Sequence, residues 1–269
     1  MEYIELFIKT ILFRPYVFIF LAAFLFSAVQ LIGWQRTWRF WLVSWATAFV
    51  CEYSSTRTGI PFGWYHYTGS TVDQEFYFSN IPFMDSISFS FLLYAAYCVA
   101  LCLLLPIEQH TGSAQPQLKP LRLDLHARTS WSVFWLTAFL FAFIDMVIDP
   151  VALQGDRWFL GKIYYYPDPG WHFGVPFANY IGWAVVGCIS LAIYFPFERR
   201  LPTLSSSVSV TPRLLLGVGL YYGVLVFNLA VTFWIGEFLM GMSGLLMHLP
   251  ILVLTALRLT TWGPARSSS

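Results

Sequence analysis

Apolar residues gather in long runs along this chain, at 12–33, 38–53, 83–105, 131–149, 176–197, 213–236 and 242–258. A hydrocarbon core about 30 Å thick needs roughly 20 apolar residues of α-helix. The pattern predicts an all-α, polytopic transmembrane helical bundle of about seven spans, with the second and last short for a full crossing. The first run is too long for the core of a signal peptide. Its flank is mixed in charge (Glu2, Glu5, Lys9, Arg14), so a retained span is expected.

The polar connections are of two kinds. Segments 106–130 and 198–212 carry Pro, Ser and basic residues and read as solvated loops. Neither marks a domain boundary, since each flanking span would lack partners, and no internal repeat is present. The whole of 1–269 is expected to form one membrane domain. Segments 54–82 and 150–175 are rich in Gly, Pro, Trp and Tyr instead. They contain TGIPFGWYHYT and GKIYYYPDPGWHFGVP. Such stretches are expected to fold as caps or re-entrant segments over one end of the bundle. Irregular backbone at membrane depth is tolerated only under cover of protein or along a cavity.

Charge adds an orientation. Lys9, Arg14, Arg57, Arg157 and Lys162 fall on the capped side. Arg36, Arg39, Lys119, Arg122, Arg128, Arg199, Arg200, Arg213, Arg258 and Arg266 fall on the other. Cytoplasmic loops are enriched in Lys and Arg, so the second side is expected in the cytoplasm of a multi-pass protein of the plasma membrane. Composition agrees with membrane residence. The chain is 58% hydrophobic and 11% charged, where a soluble domain is about 25% charged. The net charge of +1 argues against nucleic acid as a partner, because phosphate binding needs a basic face. Aromatic residues make up 20%, more than interfacial belts need, which suggests aromatic-lined interior space. Cys51, Cys98, Cys102 and Cys188 form no CxxC pair and read as packing residues.

Acids stand at the capped ends of the spans: Glu52, Asp85, Asp145, Asp149 and Glu237. Ionisable residues inside a membrane are costly and are functional candidates by default. Asp145 and Asp149 are i and i+4 on one helix face, so their charges repel and the pair is expected to hold a proton between them. Structural readings compete. Asp149 precedes Pro150 and could end its helix, Asp85 could cap the third span, and Glu237 could pair with Arg57 or Arg157. His66 and His172 belong to the caps and His248 to a short apolar span. No HxxxH, HxxHH or HExxH box is present, and no metal is expected.

Three blocks follow in order. Glu52 precedes Thr58-Gly59-Ile60-Pro61-Phe62-Gly63, Tyr65 and Tyr67. Asp145-x-x-x-Asp149-Pro150 comes next, then Gly174-Val175-Pro176, Asn179 and Gly182-Trp183. Across roughly residues 45–200 this resembles the membrane carotenoid-biosynthesis family that includes carotenoid 1,2-hydratases acting on lycopene, γ-carotene and bisanhydrobacterioruberin. The resemblance implies addition of water to a terminal isoprenoid double bond, giving a tertiary alcohol. It also implies a lyase with an apolar isoprenoid substrate, lipid surroundings and scope for association with other enzymes of that pathway.

The residue chemistry is compatible. Protonating an isolated alkene needs a strong positioned acid, stabilisation of a tertiary cation and one controlled water. No cofactor is required. Asp145 or Asp149 is expected to give the proton, the pair acting as a unit, with Glu52 holding the donor or the water. Tyr65, Tyr67, Trp171 and Trp183 are candidates for a cation-stabilising wall. Asn179 is a candidate water ligand, and His66, His172, Asp85 and Glu237 complete the expected substrate surroundings. The same cation could lose a proton or be trapped by another double bond, giving an isomerase or a cyclase. Outside catalysis, the alternatives are a lipid or isoprenoid carrier or transporter, whose acids would be coupling groups, or a scaffold.

Overall fold

A computed structural model describes residues 2–106, 121, 124–201 and 211–260. Its helices are α1 (Glu2–Phe13), α2 (Pro15–Ile32), α3 (Trp34–Thr58), α4 (Phe83–Leu104), the single turn α5 (Leu125–Arg128), α6 (Trp131–Ala152), α7 (Phe177–Arg199), α8 (Thr211–Trp234) and α9 (Phe238–Leu259). Seven of these, α2, α3, α4 and α6 to α9, answer the seven apolar runs in order. Six are long and apolar enough to cross a membrane. The seventh, α3, has 25 residues and ample length, but Arg36, Arg39, Glu52 and Arg57 lower its apolar character. The chain is thus an all-α, multi-pass membrane bundle.

Three spans differ in extent from the sequence reading. The second and last spans are not short. Polar residues continue the helical hydrogen bonding past the apolar run in α3, to 25 residues, and α9 starts earlier, at Phe238, to reach 22. The first run also opens differently, because the chain breaks at Arg14 and restarts with Pro15 in the first turn of α2. Proline suits that position because its missing N–H would lack an intrahelical partner anyway.

Helix α4 is the axis. Seventeen of its 22 residues are buried, from Met84 to Cys102. It packs against α2, α3, α6, α8 and α9, which accounts for an apolar surface on every side. The remaining helices show the lipid-facing pattern, with Ile19, Phe26, Leu246 and Leu257 exposed.

The uncapped end holds the arginines. Glu198, expected in a solvated loop, is instead in the last turn of α7 and buried. Arg36 Nε reaches its Oε1 at 2.9 Å and Arg128 Nη2 at 2.5 Å. Arg128, also expected in a loop, is buried as well. An acid therefore does stand at this end, contrary to the sequence reading, because three helix termini converge there and a buried charge requires a partner. Lys119, Arg122 and Arg266 lie outside the described residues.

At the other end the two caps are joined. Strand β1 (His66–Tyr67) pairs antiparallel with β4 (Tyr164–Tyr165), Tyr67 facing Tyr164. A second small hairpin joins β2 (Tyr77–Phe78) to β3 (Ile81–Pro82). The first cap leaves α3 through Gly59, whose φ of 75° is the left-handed conformation glycine adopts without penalty. It then lies on α7 at Gly182, where an added Cβ would sit 2.8 Å from Phe62 Cα. The cap is tied to the α1–α2 break by a fully buried ion pair. Arg14 Nη2 is 2.9 Å from Glu75 Oε1, and Arg14 Nη1 donates to the Leu160 carbonyl of the second cap at 2.6 Å.

Candidate active site

Side chains alternate along a strand. That period sends Tyr65 and Tyr67 inward from one cap and Tyr164 and Tyr166 inward from the other. Tyr165 is 43% exposed and His66 half-buried on the opposite face. The four inward phenols meet, with the Tyr65 ring 5.4 Å from Tyr67 and 6.2 Å from both Tyr164 and Tyr166. Burial pushes all four hydroxyls well above the usual tyrosine range, and neighbouring carboxylates push the same way. They therefore stay protonated and serve as donors.

Their partners are the expected acids. Tyr164 donates to Asp149 Oδ1 and Tyr166 to Asp149 Oδ2, both at 2.8 Å. Asn179 uses its amide to bridge Asp145 Oδ2 and Asp149 Oδ2, at 2.7 Å each. Asp149 thus receives three donors. Asp145 receives one, and its Oδ1 has no hydrogen-bond partner among the described residues.

A second pair of acids lies across the site. The Tyr67 hydroxyl is 2.6 Å from Asp85 Oδ2 and 3.0 Å from Glu52 Oε1. A phenol has one proton to give. It is shared between the two carboxylates, with the shorter contact to Asp85. Ser86 donates to the second oxygen of Glu52.

Two chambers adjoin these acids. The first, of about 40 Å³, is bounded by Glu52, Tyr67, Asp85, Asp149, Asn179 and aromatic rings. A water needs about 10–15 Å³ of such space and two to four polar partners, so this chamber can hold water. The second, of about 100 Å³, is apolar and runs between α2, α4 and α8 past Tyr16, Phe20, Phe91, Trp158 and Phe227. Asp85, Asp149, Tyr164 and Trp183 border both. Trp183 is fixed by stacking on Phe89, ring centroids 4.2 Å apart at 16°. Asp145 borders neither and is fully buried behind Asp149.

The expected site residues therefore divide. Glu52, Asp85, Asp145, Asp149, Asn179, Tyr65, Tyr67 and Trp183 come together. His66, Trp171, His172 and Glu237 do not border the chambers. Trp171 is 74% exposed. Glu237 pairs with Arg157, one of the two partners weighed from sequence. His172 has a backbone role. Pro150 lacks the N–H that would bond Met146 four residues back, and His172 Nε2 takes up the freed Met146 carbonyl at 3.1 Å. Asp149 does not end its helix, since α6 continues through Pro150 to Ala152.

Ser86, Tyr164 and Tyr166 were not singled out as site residues from sequence. The run Tyr164-Tyr165-Tyr166 carried the signal, because period two places its outer members on one face. The aromatic walls from α2 and α8 had no such signal. Among the described residues no group of three or more His, Cys, Asp or Glu side chains is arranged to hold a metal ion.

Comparison with known proteins gives a single finding. The family described as carotenoid biosynthesis protein matches residues 13–250. No curated protein and no solved structure matches the chain.

Proposed function

Since the chain belongs to the carotenoid biosynthesis family, with a role in making carotenoids, we propose that it is a cofactor-independent hydratase adding water to a terminal isoprenoid double bond. One observation carries this reading: Asp149, backed by Asp145, stands where an apolar chamber meets a polar one.

The chemistry follows from that placement. A carboxyl group is a strong acid when its conjugate base is well stabilised. Three donors stabilise the Asp149 carboxylate. Asp145 and Asp149 hold one proton between them, stored on Asp145 and delivered through Asp149. The isoprenoid tip occupies the apolar chamber, and Asp149 protonates the less substituted alkene carbon. The tertiary cation forms beside two carboxylates and the face of Trp183, and an aromatic face contributes about 0.5–2 kcal/mol. Water held by Glu52, Tyr67 and Asp85 adds to the cation. Its surplus proton returns to Asp149, which restores the pair.

The polar chamber favours hydration over cyclisation or isomerisation, because those reactions need no water and are best served by a dry wall. The test is expression in a lycopene-producing host, with pigments resolved by chromatography and mass. The expected product is heavier than its precursor by one water. Products of unchanged mass would favour the isomerase or cyclase. Full activity in Asp145→Asn, Asp149→Asn and Glu52→Gln, tested singly, would remove the assignment.

A further inference from the structure

A separate groove lies at the arginine-rich end, far along the helices from the acids. It is bounded by Trp38, Arg39, Leu42 and Val43 of α3 and by Phe197, Arg200 and Leu201 at the end of α7, and encloses about 570 Å³. Its floor is apolar. Trp38, Leu42 and Phe197 are 39%, 48% and 43% exposed, so it opens to the surroundings. Its rim is cationic. Neither Arg39 nor Arg200 has an acidic partner among the described residues, and Arg39 rests over the Trp38 ring at 5.4 Å.

The neighbourhood is unbalanced in the same sense. Among the described residues, Arg36, Arg39, Arg128, Arg199, Arg200, Arg213 and Arg258 stand at this end against Asp124 and Glu198. Glu198 is already engaged by Arg36 and Arg128, and Asp124 accepts from the Ala127 N–H as the cap of α5. Neither acid is at ion-pair distance from Arg39 or Arg200. A membrane supplies one occupant with the required shape, an anionic headgroup on an apolar tail.

We propose that this groove is a binding site for an anionic phospholipid. Its phosphate sits between Arg39 and Arg200, and one acyl chain lies along Leu42, Val43 and Phe197. Arginine suits the role because its planar fork pairs bidentately with phosphate oxygens. Bound there, the lipid would hold the α3 and α7 ends together. These same helices carry Glu52 and Asn179 at their opposite ends. The site does not depend on the reaction proposed above.

The test uses the full-length protein in neutral detergent, with thermal unfolding followed on adding phosphatidylglycerol or phosphatidylcholine mixed micelles. A basic side chain near an anionic membrane surface contributes about 1 kcal/mol, so two predict a roughly thirty-fold preference for phosphatidylglycerol. Arg39→Gln/Arg200→Gln is expected to abolish that preference while keeping the unfolding temperature in phosphatidylcholine. Leu42→Trp, which fills the tail groove and leaves both arginines, should weaken it too. Inorganic phosphate at matched ionic strength should not reproduce the shift. Equal stabilisation by both lipids, retention of the preference in the double variant, or full replacement by inorganic phosphate would each overturn the proposal.

Discussion

The two inward tyrosines of the second cap offer the sharpest probe of the acid site. Tyr164→Phe and Tyr166→Phe each delete one oxygen and keep the ring, so the packing around Tyr65 and Trp183 is preserved. Each removes one donor from Asp149, at 2.8 Å from a different carboxylate oxygen. A hydrogen bond to a charged group contributes about 1.5–3 kcal/mol. In the proposed protonation step Asp149 passes from shared proton to full anion, so the donor counts most in the transition state. Each 1.36 kcal/mol is tenfold in rate, which gives roughly a 10–150-fold loss for each variant. The rings lie 5.9 Å apart and share one carboxylate, so strict additivity is not expected. The double variant should still lose more than about a hundredfold on the same scale. Tyr165→Phe is the internal control, because its ring faces outward and its loss should leave turnover within about twofold. The assay is substrate and product by chromatography in a carotenoid-producing host, normalised to folded protein by fluorescence-detected size exclusion. A well-folded double variant working at half the wild-type rate would show that Asp149 is not the group whose charge develops.

Three further outcomes follow from the same coordinates. Burial first, and the charge of Asp149 next, raise the Tyr164 and Tyr166 hydroxyls. Their stabilising contribution is complete below about pH 10, where unfolded tyrosines are still protonated, and is lost as pH rises through the raised folded value. Melting temperature in detergent should therefore fall more steeply above about pH 10 in the wild type than in the Tyr164→Phe/Tyr166→Phe protein. Gly182→Ala forces the Phe62 segment away from α7, and overpacking of this kind costs about 1–3 kcal/mol. Protease susceptibility within 54–82 should rise, and an unchanged digestion pattern would refute the contact. Glu75→Gln leaves Arg14 buried without its counter-charge and should cost about 3–5 kcal/mol. Arg14→Leu/Glu75→Leu should be milder than Glu75→Gln, and the reverse order of melting temperatures would contradict the buried pair.

Much of this arrangement was legible in the chain itself, for identifiable reasons. Unbroken apolar runs of about 20 residues allow few structures in a membrane, so the helices and their order followed from length alone. The direction of each span then placed Glu52, Asp85, Asp145 and Asp149 at one end. Other features depend on contacts that no local pattern encodes. Arg14 and Glu75 are 61 residues apart, and neither has a neighbour in sequence that marks it as paired. Glu198 looks like the first residue of a basic loop until the convergence of α3, α5 and α7 supplies two guanidinium partners. The apolar chamber was hidden for a different reason. Tyr16, Phe20 and Phe227 sit in spans where every turn offers a large side chain, so composition cannot distinguish a cavity wall from a lipid-facing surface. His172 was misleading in the opposite way, since its exposed-looking Gly/Pro context suggested chemistry and its ring instead serves the backbone at Pro150.

The buried acids divide by what neutralises them, and the division separates architecture from chemistry. Glu75 and Glu198 each face arginine. Both tie distant segments together. Glu52, Asp85, Asp145 and Asp149 have no Lys or Arg at ion-pair distance among the described residues. They are held only by neutral donors: phenols, one amide and one hydroxyl. A fixed cation would pin these carboxylates as anions and leave no proton to give. Neutral donors accept either state, so the proton can move at modest cost. Burying four acids without cations is expensive for stability. The expense is incurred at a place where an apolar chamber and a polar chamber share a wall. A scaffold needs no mobile protons beside an apolar ligand, and a transporter that used these acids as coupling groups would be expected to carry an inverted repeat, which the sequence lacks. The arrangement fits the proposed enzyme, which must protonate a hydrocarbon.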